Sequence, residues 1–306
     1  MSMSLVLTQL LNGLQFGVLL FLLAAGLTLV FGIMSFVNLA HGSLYMLGAY
    51  FAASAYQHTE SFGLAVLAAV AGCTVLGLVL ERAAISRLYR RDHLDHVLAT
   101  FGLVLFFNEL TRIVWGPQPY FLPLPAFLEG TVDLFGVSYP GYRFAIIVVG
   151  LAVAFGAHLL MHRTRLGMLI RAGATNPAMV AALGVDIKLL NSILFALGAA
   201  LAGLAGVMAA PIMSIQTGMG EPVLITALVV IVIGGIGSVS GALYASLIVG
   251  IADTLGRAFL PTLLREVASR DVANAAGPAL ASMLIYLLMA VVLAVRPQGL
   301  FPAGRT

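Results

Sequence analysis

The chain is a succession of apolar runs, and their length governs what it can fold into. Runs at residues 5–30, 36–56, 62–80, 97–115, 144–161, 189–211 and 278–295 each have the length and composition of a bilayer-crossing helix, which needs about 20 apolar residues. An eighth, 223–255, is too long for one crossing and is interrupted at Gly234-Gly235-Ile236-Gly237-Ser238-Val239-Ser240-Gly241. Backbone groups in lipid must bond within their own segment, which helices do. A barrel would alternate apolar with polar positions, and these runs are apolar on every face. The expected fold is an all-α integral membrane protein of about eight transmembrane segments, two of them glycine-broken, in a single domain spanning 1–306. Composition agrees: 61% of the 306 residues are hydrophobic and 9% are charged. A soluble fold needs a polar coat that this chain cannot supply, which excludes a soluble enzyme, a disordered chain and a nucleic-acid binder. The first apolar run is too long for a signal h-region and reads as a retained span.

Orientation follows from the arginines. Residues 81–96 hold Arg82, Arg87, Arg90 and Arg91, and residues 162–188 hold Arg163, Arg165, Arg171 and Lys188, whereas residues 116–142 hold no Lys or Arg. The positive-inside rule puts the first two connections in the cytoplasm and the third outside. Arg296 and Arg305 favour a cytoplasmic C-terminus; the side of the N-terminus stays open.

Polar residues at membrane depth line a cavity or pin helices together. Asn38, His41, Gly42 and Ser43 sit between two apolar runs, and Gly234, Gly235, Gly237, Ser238 and Gly241 interrupt another. For both groups a translocation path and plain close packing remain open. Gly42-Ser43-Leu44-Tyr45 is echoed by Gly241-Ala242-Leu243-Tyr244, a faint internal repeat of the kind that marks broken segments in transporter halves. Gly235-Ile236-Gly237 is followed by Gly241 one position too late for a dinucleotide fingerprint.

Enzyme motifs are missing. No His-Glu-x-x-His or Gly-x-Ser-x-Gly occurs, and the single lysine, Lys188, follows Asp186-Ile187, so no P-loop exists. His93 with His96, and His158 with His162, have spacings that suit a metal, yet both pairs lie at a boundary among arginines and read as interfacial anchors. Glu109 with Arg112, and Asp253 with Arg257, read as ion pairs along a helix face. The lone Cys73 permits no intrachain disulfide. No cofactor and no metal site is expected.

The connection at about 163–188 is the most informative stretch. Asn176-Pro177 is an N-cap and first-turn pair, and Gly184 suits the left-handed residue that ends a helix. The spacing predicts a short apolar helix through Ala178, Met179, Ala181, Ala182 and Leu183, too short to span and on the cytoplasmic side. Such a helix needs a protein surface to cover it, or else lies on lipid, where more Lys or Arg would be expected.

Together, TRLGMLIRAGATNPAMVAALGV, NLAHGSLYMLGAY, GGIGSVSGALYASLIVGIADTLG and RPQGLFP resemble the permease of branched-chain amino-acid ABC importers, more closely the shorter of that system's two membrane subunits. The resemblance covers essentially the whole chain. It implies a pore of two homologous permeases in the bacterial inner membrane, two cytoplasmic ATP-binding subunits and a periplasmic solute-binding protein, with alternating access driven by the ATPases. The family's coupling loop maps onto Arg165, Gly167, Arg171, Ala172, Asn176, Ala181, Leu183 and Gly184. The rival reading is an ion-coupled secondary transporter or channel, which would want a deep acid or base; Glu109 and Asp253 sit near segment ends.

Overall fold

The structure is a computed structural model and describes residues 3–34, 37–89, 91–134, 136–266 and 269–301. Phe36, Arg90 and Arg305, which enter the span and orientation readings, lie outside them. Helices α1 (Met3–Met34), α2 (His41–Thr59) and α3 (Phe62–Leu80) come first. α3 continues through a π-helical turn, Glu81–Ile85, into α4 (Ser86–Leu88). α5 (His93–Trp115) leads to an antiparallel hairpin of β1 (Thr131–Leu134) and β2 (Val137–Pro140), with Thr131 opposite Pro140. There follow α6 (Gly141–Arg163), two loop helices α7 (Arg165–Thr175) and α8 (Pro177–Ala182), then α9 (Ile187–Ala209), α10 (Gly220–Gly234), α11 (Val239–Leu264) and α12 (Arg270–Val295).

Among the described residues, seven helices are long and apolar enough to cross a membrane: α1, α3 with its extension, α5, α6, α9, α11 and α12. α2 and α10 complete the bundle in a different way. α2 opens at His41, after the non-helical residues 37–40, and is buried over most of its length. A helix that faces protein and not lipid tolerates His, Ser and Tyr. α10 has 15 residues, and the glycine interruption after it separates it from α11. Several helices start earlier than their apolar runs. Asp186 accepts from the Lys188 and Leu189 amides and Ser269 from the Val272 amide, so polar caps carry the helical backbone beyond the hydrocarbon-like stretch.

Side-chain contacts give the direction of each element. Near the start of α1, Asn12 Oδ1 accepts from Arg143 (2.7 Å) and from the Tyr139 hydroxyl (3.2 Å), beside the hairpin. At its other end Leu29 packs with Ile170, Leu190 and Leu194, next to the arginine-bearing loop. α1 therefore starts at the hairpin end and finishes at the arginine-bearing end. With the arginines inside, the N-terminal helix begins on the outer face, a point the charge pattern left open.

Close helix contacts hold the centre. α1 packs along α9 and α11, and α9 along α2 and α3. Gly48 of α2 faces Gly203 of α9, where a Cβ would meet backbone at 2.6 Å, and a Cβ on Gly77 of α3 would meet that of Ala199 at 2.5 Å. Small residues at these positions bring backbones together, the form of packing open to helices that share an apolar solvent.

Candidate coupling and translocation site

The arginine-bearing loop is built from caps. Thr164 Oγ1 accepts from the Gly167 amide at 3.1 Å and starts α7. Gly167 is buried against the end of α6, where a Cβ would lie 2.6 Å from Met161 Cα, so this glycine sets the fold-back of α7. Ile170 anchors α7 among Leu29, Leu190 and Leu194. Asn176 serves two helices: its amide donates to the Ala172 carbonyl (2.9 Å), closing α7, and its Oδ1 accepts from the Met179 amide (2.9 Å), opening α8.

The exit from α8 is a Schellman turn. The Val185 amide donates to Val180 O (3.3 Å) and the Gly184 amide to Ala181 O (3.0 Å), with Gly184 at φ +87°. The short helix expected from the sequence therefore forms as Pro177–Ala182 with Asn176 and Gly184 in their expected roles. Val180 points inward and is buried, while Met179 is 59% and Leu183 77% exposed. Of the eight residues assigned to coupling, Arg165, Arg171, Ala172, Ala181, Leu183 and Gly184 are exposed, Asn176 is occupied in capping, and Gly167 is buried.

Beside this loop lies a cavity of about 800 Å³ between α1, α6, α7 and the turn that joins α10 to α11. Its polar lining is Thr28, His158, His162, Arg171, Thr175, Ser238 and Ser240, and Gly237 contributes backbone. The His158 and His162 rings meet at a tilt of 40° with centroids 4.5 Å apart. Thr28 Oγ1 is buried with no hydrogen-bond partner. One cavity thus unites Arg171 of the coupling set with Gly237 and Ser238 of the path set.

The other path residues lie elsewhere. Asn38, His41, Gly42 and Ser43 are buried in the bundle and do not line the cavity. Asn38 Oδ1 accepts from the Ala40 amide, while Asn38 Nδ2 and His41 Nε2 have no partner. Gly42 abuts Gly220 at the start of α10: a Cβ on it would meet Gly220 O at 2.8 Å and Leu224 Cβ at 3.0 Å. Gly234 and Gly241 abut each other where α10 ends and α11 begins. Each echoed tetrad therefore sits in the first turns of a helix, α2 or α11, and its glycine is a contact point with α10.

Three features had gone unassigned. The first is the C-terminal segment: the Leu300 and Phe301 amides donate to Ile233 O (2.8 Å) and Gly234 O (2.9 Å), satisfying carbonyls at the end of α10, and Gly235, at φ +105°, packs under Phe301. Within RPQGLFP, Gly299 at φ +82° turns the chain onto that helix end. The second is Glu81, 2% exposed at the start of the π-turn, which accepts from the Tyr89 hydroxyl (2.8 Å) and from Ser192 of α9 (2.7 Å). Burial, and then the neighbouring Glu81, push the Tyr89 hydroxyl well above the ordinary tyrosine range. The third is Asn108 of α5 bonded to Glu221 of α10 at 2.6 Å. A lone amide inside an apolar run, and an acid next to one, were the signals for that pair.

The remaining charged pairs are as expected: Glu109–Arg112 at 3.1 Å and Asp253–Arg257 at 2.8 Å. His96 Nε2 lies 2.7 Å from Leu88 O, joining α5 to the end of α4. Among the described residues, no group of three or more His, Cys, Asp or Glu could hold a metal ion.

Against known proteins, residues 9–293 match the family described as "Branched-chain amino acid transport system / permease component". The chain is 33% identical to the high-affinity branched-chain amino acid transport system permease protein BraD of Pseudomonas aeruginosa, over 82% of this chain and 86% of that protein. It is 28% identical to the corresponding LivH of Escherichia coli K12, over 96% and 94%. The ribose import permease protein RbsC of Escherichia coli K12 is 28% identical over 76% and 72%. No solved structure matches the chain. Seven apolar helices, a doubly capped loop helix and a match along nearly the whole length have one meaning: the chain belongs to the family of branched-chain amino acid transport permeases.

Proposed function

We propose that this permease is a membrane subunit of an ABC importer that carries branched-chain amino acids or related small polar solutes, moved by ATPase subunits that dock on α8. The observation that carries this reading is exposed Met179 on a six-residue helix with exposed Leu183 at its C-cap. So short a helix does not persist in water by itself. Here Asn176, the Gly184 turn and inward Val180 hold it in place, which preorganises an apolar knob for a protein groove.

The coupling path then runs through packed elements. Force on α8 passes along Asn176 into α7, whose Ile170 is seated against α1 and α9, and along Asp186 into α9. α7, α1 and the α10–α11 turn share walls of the same cavity, so displacing α7 changes its shape. Alternating access would use that change to close the cavity on one side as the other opens. Arg165 and Arg171 supply the cationic side of the ATPase contact. A second homologous permease completes the pore, and a periplasmic binding protein delivers solute. The substrate class rests on the branched-chain amino acid permeases, matched over 82% and 96% of this chain, over the ribose import permease, matched over 76%.

The test is reconstitution in liposomes of this chain with its neighbouring permease, ATPases and binding protein. ATP-driven accumulation of leucine, isoleucine or valine that stops without the ATPases is the expected result. Uptake by this chain alone, driven by an ion gradient, would overturn the reading.

A further inference from the structure

A carboxylate at membrane depth without a cation demands an explanation, and Glu221 is one. It lies in the first turn of α10, half-buried, and Asn108 of α5 donates to its Oε1 at 2.6 Å. Asn108 is seven residues before Trp115, so at 1.5 Å per residue the pair sits about 10 Å inside the hairpin end of α5. No Lys, Arg or His of the described residues forms an ion pair with Glu221. Leu105 and Phe106 on α5 and Ile225 on α10 are exposed apolar neighbours, and the exposed Glu109–Arg112 pair lies within about one turn of Asn108 and bonds to itself. An ionised group in such surroundings is retained where it meets a partner or a polar path.

Further polar groups line the same place. Thr111 Oγ1 lies 3.5 Å from Thr217 Oγ1, and Thr217 lies beside the Tyr50 hydroxyl. That hydroxyl belongs to a side chain with 0% exposure. The positive end of α10 explains why a carboxylate is tolerated there. It does not explain an amide on a different helix aimed at Oε1. The second oxygen, Oε2, borders Gly218, where a Cβ would stand only 3.4 Å away.

We infer that Glu221, oriented by Asn108, is a station for the ammonium group of the solute as it enters the membrane from the hairpin end, with the Thr217 and Tyr50 hydroxyls beside it. This rests on the amino-acid permease reading above. One carboxylate oxygen is held by Asn108 and the other is free to accept from an R–NH3⁺ group, a charge-assisted contact that a sugar or a simple carboxylate cannot make.

The experiment uses the assembled permease–ATPase complex in nanodiscs without binding protein. Glu221 is labelled with a hydrophobic carbodiimide and the modification is read by mass spectrometry. Labelling in the free complex, lowered at least fivefold by leucine and by 3-methylbutylamine but unchanged by 4-methylpentanoate, is the expected pattern. Equal protection by the acid analogue, protection by neither amine, or no labelling without ligand (the result if a partner subunit's cation already covers Glu221) would each overturn the inference. Because the wild-type protein is labelled, no variant has to fold. A second arm measures uptake by Glu221→Gln and Glu221→Asp complexes: at least a tenfold loss in Gln and partial recovery in Asp are expected. If wild-type complexes take up leucine with ATP yet show no amine protection, only this inference fails; if they take up nothing, the proposed function fails first.

Discussion

Asn176 is the joint through which the loop can be tested most directly. Its Oδ1 accepts the Met179 amide at 2.9 Å, and α8 beyond it has only six residues. Removing an N-cap side chain costs about 1 kcal/mol, with a range of roughly 0.5–2, whereas glycine at the same position costs a few tenths. One kcal/mol is about a fivefold shift in the local opening equilibrium. Asn176→Ala should therefore speed amide exchange about fivefold at Val180 and Leu183, whose N–H groups donate to Asn176 O and Met179 O. Asn176→Gly should have a smaller effect and Asn176→Ser almost none. Serine is the better rescue than aspartate, because the same residue closes the C-terminus of α7, where a negative charge is unfavourable. Hydrogen exchange on the assembled complex reads the opening, and leucine uptake per ATP hydrolysed should fall in the same order, Ser, Gly, Ala. Exchange that is unchanged in Ala, or uptake that fails equally in Ser and Ala, would refute the idea that the cap keeps the coupling helix formed.

Other outcomes follow from the same contacts. Leu183→Asp should leave insertion intact and uncouple ATP hydrolysis from uptake; normal substrate-stimulated ATPase activity would argue against docking on α8. Gly184→Val places a β-branched residue at φ +87°, a cost above the roughly 1–2 kcal/mol of the left-handed region, and should uncouple in the same assay. Gly42→Leu pushes α2 from α10, since even a Cβ meets Gly220 O at 2.8 Å; lost uptake with a lower melting temperature is expected, and wild-type values of both would contradict the packing. Glu81→Leu strips the buried Ser192 and part-buried Tyr89 hydroxyls of their acceptor, a cost of about 1–3 kcal/mol for the buried one and less for the other, so thermal unfolding in detergent should come several degrees earlier, with Glu81→Gln in between.

Much of this molecule is written locally. Most of the long apolar runs lie where the spanning helices lie, because a helix in lipid bonds only to itself; the run at 36–56 instead became the buried α2, which is not among the seven. The loop helix was legible for the same reason: Asn176, Pro177 and Gly184 act within four residues of one another. The glycine interruption also stood out, and it became the turn between α10 and α11.

What depended on distant contacts could not be read in this way. That Gly42 touches a helix depended on Gly220, which is far along the chain, and only the tertiary structure brings the two together. The partners of Glu81 and Glu221, Ser192 and Asn108, are 111 and 113 residues away, and no periodicity announces them. The direction of α1 hung on Asn12 meeting Arg143, since charge rules see loops and this helix begins without a basic residue. By itself, then, the sequence determined that this is a helical membrane permease with a short capped loop helix, because lipid and local capping act on short stretches. Only the tertiary structure decided which polar residues face a cavity and which face a neighbouring helix, because that depends on how the helices pair.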